Sequence, residues 1–99
     1  MRMIHPGEVL REEYLDALGI SARELGKALG VSARQIARLT SEQSNVTSGM
    51  ALRLSRYFGT TPEFWLNLQM TYALKKAALA AGDRITETIE PLKVTLNQQ

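Results

Sequence analysis

The chain has 99 residues, 44% of them hydrophobic and 22% charged, with a formal net charge of +2 and no cysteine. That length suffices for one small core, and the lack of thiols excludes disulfides and thiolate chemistry and fits a reducing compartment. No apolar run approaches the ~18 residues of a membrane span and no signal-like apolar stretch opens the sequence, so the expected location is cytoplasmic, with no membrane partner.

The first predicted helix runs from Pro6 to Leu18 and ends at Gly19. Pro6 suits the first helical position, where its missing N–H is not needed. Leu10, Tyr14 and Leu18 recur at helical spacing and are expected to face inward. Glu8, Glu12 and Asp16 share that spacing on another face. Such an acidic stripe is either a solvated face or a contact for a basic protein partner.

Ser21 to Leu39 carries the strongest pattern, two short helices joined by a tight turn. Ala22, Leu25 and Leu29 form one apolar stripe, and Gly30 follows where a helix end favours left-handed φ. Val31 re-enters the core, and Ser32 is a good N-cap for a second helix starting at Ala33. There Ile36 and Leu39 face inward, so Arg34 and Arg38, four apart, project together outward. A mid-helix glycine such as Gly26 costs ~1 kcal/mol relative to alanine, and its reason here is close packing by the next helix. Together these features make a helix-turn-helix, in which the second helix lies in the DNA major groove. Charge agrees with this reading. Residues 21–38 set Arg23, Lys27, Arg34 and Arg38 against Glu24, a net +3, whereas residues 1–20 set Arg2 and Arg11 against Glu8, Glu12, Glu13 and Asp16, a net −2. Positive charge is concentrated where phosphates would lie.

After the polar loop Ser41 to Val46, Thr47 caps a fourth helix with Ala51, Leu54 and Phe58 inward and Gly59 as terminator. Thr61-Pro62-Glu63 starts a fifth and longest helix, expected to reach Ala81 before Gly82. Trp65, Leu68 and Tyr72 mark one apolar stripe, and Leu66, Met70 and Ala77 mark another. Two stripes exceed what one packed face needs, which means either a homodimer interface or a fully buried central helix. Beyond Pro91, Leu92, Val94 and Leu96 alternate with Lys93, Thr95 and Asn97, a period of two that reads as a strand. A lone strand in a helical chain must pair with another chain or stay disordered. The expected fold is therefore all-α, a five-helix phage-repressor-like helix-turn-helix domain over residues 1–82, with a short extended tail over residues 83–99.

Enzyme chemistry lacks its parts. His5, the one histidine, sits beside Pro6 as a helix-terminus residue, and no carboxylate cluster has metal-ligand spacing. Neither a phosphate-binding glycine loop nor a nucleophile elbow occurs. No catalytic residue, metal or cofactor is expected. The chain reads as a binding module.

With these residues in place, residues 4 to about 81 resemble the HigA-type antitoxins, a branch of the phage-repressor-like (Xre) helix-turn-helix family. The resemblance rests on His5-Pro6-Gly7-Glu8, the Gly30-Val31-Ser32 turn, Ala51-Leu52-Arg53-Leu54, and above all Thr61-Pro62-Glu63-Phe64-Trp65-Leu66-Asn67-Leu68-Gln69. It implies a homodimer that neutralises a small RelE-like (HigB-type) endoribonuclease toxin and represses its own operon through paired half-sites. The sequence departs from the family twice. The loop after the third helix often carries a glycine and a basic residue, where this chain has Ser41-Glu42-Gln43-Ser44-Asn45. Ala22 stands where many relatives begin the second helix with glutamine, leaving Ser21 and Arg23 to serve the DNA backbone.

By position in the motif, Arg34 and Arg38 are the expected base readers, since arginine pairs bidentately with guanine O6 and N7. Gln35 suits an adenine or a phosphate. Arg23, Lys27 and Ser32 suit phosphates, which position without specifying sequence, and Ser21 and Ala33 complete the surface. Leu66, Met70, Ala77, Leu92, Val94 and Leu96 are the dimer candidates, and Glu8, Glu12 and Asp16 the toxin candidates. Three readings follow: an antitoxin that binds both toxin and operator DNA, a stand-alone repressor, and an antitoxin acting chiefly through protein contact.

Overall fold

All five helices begin on a side-chain cap. The computed structural model describes residues 2–93. His5 caps α1 (Pro6–Val9), Ser21 caps α2 (Ala22–Leu29), Ser32 caps α3 (Ala33–Thr40), Thr47 caps α4 (Ser48–Phe58) and Thr61 caps α5 (Pro62–Thr88). Each cap satisfies a backbone N–H that the helix leaves open, an effect of about 1 kcal/mol apiece. No strand occurs among the described residues.

The first helix departs from the expected register. After Val9 it widens into a π-helical segment, Leu10–Asp16. Hydrogen bonds that skip five residues place Leu10 and Leu15 on one face, and both are buried. Leu18, expected inward on a uniform α-helical period, is instead 60% exposed. Tyr14 does turn inward, half-buried, with its ring centroid 4.6 Å from Phe58 and 5.3 Å from Trp65.

Trp65 anchors the core, fully buried among Leu10, Leu25, Ile36, Leu39, Ala51 and Leu54. Its indole N–H donates to Thr60 Oγ1 at 2.8 Å, which satisfies the ring's polar edge. Leu68 and Tyr72 on the same stripe are half-buried. Trp65 is the only α5 residue that is buried, so α5 is not a central helix.

One expectation for the C-terminal third is corrected. α5 does not stop before Gly82 but runs to Thr88, 27 residues in all. Gly82 costs helix stability, yet Ala77, Ala78, Ala80 and Ala81 precede it, and alanine is the best helix former. The stop comes at Ile89-Glu90-Pro91, because a proline disfavours helical geometry in the residue before it. Such a helix is about 40 Å long, in a molecule measuring 55 × 27 × 21 Å. Leu92 and Lys93 lie in no regular element, and the expected strand residues Val94 to Leu96 fall outside the described residues.

Candidate nucleic-acid interface

α2 and α3 meet at Gly26. A methyl group there would come within 2.9 Å of the Val31 carbonyl oxygen and 3.1 Å of the Ala33 nitrogen. The glycine is thus required by the backbone of the turn. Gly30 adopts φ +74°, and the Val31 N–H closes the turn on the Gly26 carbonyl at 2.9 Å. This pattern ends α2 and aims the chain into α3.

Reciprocal caps hold both helix starts. Ser21 Oγ accepts from the Glu24 N–H at 3.0 Å, while Glu24 Oε1 accepts from the Ser21 N–H at 2.9 Å. Those bonds from Ser21 hold the Glu24 carboxyl below its ordinary pKa. Ser32 and Gln35 repeat the arrangement at α3, with Gln35 Oε1 accepting from the Ser32 N–H at 3.2 Å. The Gln35 side-chain carbonyl is therefore engaged locally, and only its NH₂ group faces outward for a base or phosphate acceptor.

The helix ends are held from outside the motif, by residues that the sequence reading does not single out for this role. Arg53 of α4 donates to the Leu29 carbonyl at 2.6 Å, capping α2. Arg11 of the first helix donates to the Thr40 carbonyl at the end of α3 and lies 3.8 Å from Glu42. Cations at helix C-termini satisfy orphan carbonyls and complement the helix dipole. Spacings of 24 and 29 residues carry no local signal. Gln69 of α5 adds a third brace, its Oε1 accepting from the Val46 N–H at 2.7 Å. That contact gives the Thr61–Gln69 run a task beyond its own helix. In the loop, Glu42 adopts φ 65°, a conformation that favours glycine.

Around this frame Ser21, Arg23, Lys27, Ser32, Ala33, Arg34, Gln35 and Arg38 are all exposed. Arg23, Lys27 and Arg34 make no ion pair among the described residues. Arg38 reaches only the Gln43 carbonyl, at 3.5 Å. The structure thus brings the eight candidates onto the solvent side of α2 and α3, with four cations available to an anion.

The other candidates separate. Glu8 is largely covered and paired with Arg2, Glu12 lies 3.3 Å from Arg11, and Asp16 is exposed without an ion pair among the described residues. Leu66 is half-buried, and Met70, Ala77 and Leu92 are exposed. Val94 and Leu96 lie outside the described residues. His5 is more than a terminus residue: it is 2% exposed, its Nδ1 accepts from the Gly7 N–H at 2.8 Å, and it meets Tyr72 edge-on at 4.7 Å. Gly7 is equally constrained, since a methyl group on it would collide with the Leu39 carbonyl oxygen. No group of three possible metal ligands occurs among the described residues, and none of their helices is long and apolar enough to cross a membrane.

This fold and this outward face define a helix-turn-helix protein, and residues 10–65 match the family described as Helix-turn-helix (HTH_3). The chain is 53% identical over 77 residues to Virulence-associated protein I of Dichelobacter nodosus, spanning 78% of this chain and 71% of that protein. It is 32% identical over 97 residues to Antitoxin HigA-1 of Vibrio cholerae, spanning 98% and 90%. It is also similar to the solved structure of Pseudomonas aeruginosa antitoxin HigA with the higBA promoter, with a TM-score of 0.89 and 47% identity over 92% of this chain and 99% of that one. The chain belongs to the HigA-type antitoxins, a branch of the Xre-like helix-turn-helix family of non-enzymatic, DNA-binding regulators.

Proposed function

We propose that this chain is the cytoplasmic antitoxin of a type II toxin–antitoxin pair. It represses its own operon by sequence-specific DNA binding and neutralises a RelE-like (HigB-type) endoribonuclease toxin by direct contact. The carrying observation is the exposed outer face of α3, where Arg34 and Arg38 stand one turn apart on a helix capped at both ends. The promoter-bound P. aeruginosa relative, similar over nearly the whole chain, supports the DNA half of this reading.

In this reading Arg34 and Arg38 contact base edges, and the Gln35 NH₂ group donates to an adenine or a phosphate. Ser21, Arg23, Lys27 and Ser32 hold phosphates, and Ala33 offers its free N–H at the start of α3. Residues 1–82 form the binding and dimerising unit and residues 83–99 an appended tail, though α5 itself continues through Gly82. Two copies associate through Leu66, Met70 and Ala77, with Leu92, Val94 and Leu96 of the tail as further contacts. Their half-sites then lie about 34 Å apart or a multiple of it. The acidic stripe of Glu8, Glu12 and Asp16 receives the basic partner.

Fluorescence anisotropy with a fragment of the chain's own promoter tests the DNA half. Arg34→Ala and Arg38→Ala should each cost about 1–3 kcal/mol on the specific site and relax discrimination at one base position. Lys27→Ala should weaken all sequences alike and flatten the salt dependence. Unchanged operator affinity in the Arg34→Ala/Arg38→Ala double variant would sink the assignment. For the toxin half, the purified protein should suppress RNA cleavage by the toxin of the same operon at a fixed stoichiometry.

A further inference from the structure

Between the N-terminal arm, the first helix and α5 runs an open groove that DNA binding leaves unused. It consists of two depressions, about 370 and 290 Å³, that share Ile4, Phe64 and Leu68 as an apolar floor. Ile4 is 43% exposed and Phe64 37%. The wall of the larger depression is acidic: Glu8, Glu12 and Glu13 line it and Asp16 does not, while Lys75 at the far end of the smaller one confines the acidic stretch to the first helix. Glu13 has no ion-pair partner among the described residues. The arm's own Arg2, with its side chain 66% exposed, seats a guanidinium on Glu8, which shows the kind of group this wall accepts.

We propose that this groove docks a cationic segment of the partner toxin, with apolar side chains against Ile4, Phe64 and Leu68 and basic ones along Glu8, Glu12 and Glu13. The inference rests on the antitoxin reading and narrows its acidic stripe to a defined trough. An apolar floor beside an acidic wall is the complement of an amphipathic basic segment. The two depressions run together over a shared floor, a shape that suits a chain segment laid along them. A second copy of the chain is the weaker occupant, because the exposed apolar run of α5, Met70 and Leu74 onward, lies outside the groove lining.

Binding of the full-length protein to the purified toxin of its operon, by calorimetry, tests this. Ile4→Glu and the double variant Glu12→Lys/Glu13→Lys should each weaken toxin binding by at least about tenfold, with operator affinity and dimer mass unchanged. Asp16→Lys should have a much smaller effect. Parent-like toxin binding by both groove variants overturns the groove while leaving the antitoxin reading intact. An equal loss with Asp16→Lys puts the partner on the open stripe and also overturns it. Loss of the dimer in Ile4→Glu would make the groove a contact between copies. No binding by the parent protein would remove the antitoxin reading, and the groove with it.

Discussion

From Ser21 to Ser41 the helix-turn-helix closes on itself. Leu25, Leu29, Ile36 and Leu39 are buried, both helices start on reciprocal caps, and arginines from elsewhere in the chain meet both C-termini. From Ala73 to Thr88 α5 is open, with no residue buried. Yet Leu66, Met70, Leu74, Ala77, Ala81 and Ile85 recur at spacings of three and four along it, with Leu74 63% exposed. Alanine propensity explains why this stretch is helical. It does not explain why one stripe stays apolar over five turns. A soluble chain rarely leaves such a stripe to water; the first region is explained by contacts within the chain, and the second is accounted for by the second copy proposed above.

The largest effects should separate the two regions. Trp65→Ala removes the ring on which α4, α5 and the first helix converge, a loss of about 3–5 kcal/mol from a domain whose total stability is of order 5–15 kcal/mol. Gly26→Ala drives a methyl group into the Val31 carbonyl and should cost about 1–3 kcal/mol through the forced shift of the turn. Urea unfolding followed by circular dichroism reads both. Leu74→Ala, measured at a dilution where copies are separate, should stay within about 0.5 kcal/mol of the parent. A core-sized loss there would mean the distal helix is packed within its own chain, and the contrast would fail.

A separate effect is expected in association. Leu74→Glu/Ile85→Glu should turn a dimer into a monomer by light scattering at micromolar concentration, a loss of at least about 2 kcal/mol typical of a central interface position. The melting of the separated chains should not change. A parent protein that is already monomeric there would leave the stripe without its simplest explanation.

The same contrast explains what the sequence made legible. The turn roles of Gly26, Gly30 and Ser32, and the outward placement of Arg34 and Arg38, are legible because each depends on neighbours within about ten residues. Leu15 was hidden by the π-helical segment, since a search at spacings of three and four prefers Leu18. Gly82 reads as a terminator because a glycine stop and a glycine tolerated within a helix share the same local pattern. Arg53 on the Leu29 carbonyl and Arg11 on the Thr40 carbonyl are tertiary contacts with no local pattern. His5 had one usable signal: a side-chain acceptor directly before Pro6, where a cap belongs.

His5 makes the closed region sensitive to pH. Its pKa is lowered from 6.5, chiefly by burial, with the Lys76 charge acting the same way and Glu42 and the Ser44 backbone opposing. The folded state therefore prefers the neutral ring, whose Nδ1 accepts from the Gly7 N–H. Above pH 6.5 this contribution is fully present. As pH falls below that value the unfolded chain takes up a proton before the folded one does, so stability declines until the lowered pKa is passed. Melting temperature should thus drop between pH 7 and pH 5 in the parent. His5→Asn, which keeps an N-cap acceptor and removes the titration, should be less stable at pH 7 for want of the Tyr72 contact but flatter across the range. An equal slope in both proteins would assign the acid sensitivity to other groups.

The smallest effect carries the sharpest comparison, because one substitution should have opposite signs in the two regions. Gly26→Ala destabilises, as argued above. Gly82 is also helical, but a methyl group there finds only Ala78 Cβ at 3.8 Å, ordinary van der Waals contact. Gly82→Ala should therefore stabilise the separated chain by about 0.5–1 kcal/mol, through the entropy glycine loses on becoming helical. The stripe residue Ala81 is its neighbour, so the same variant also probes the dimer. A gain that persists at high protein concentration means the second chain leaves room at Gly82. A gain at dilution that reverses at high concentration means another backbone approaches there as closely as Val31 approaches Gly26, and it would place the tightest point of the interface at that residue. A loss at every concentration would show that α5 is packed within its own chain at Gly82, and the distal helix could no longer be treated as open.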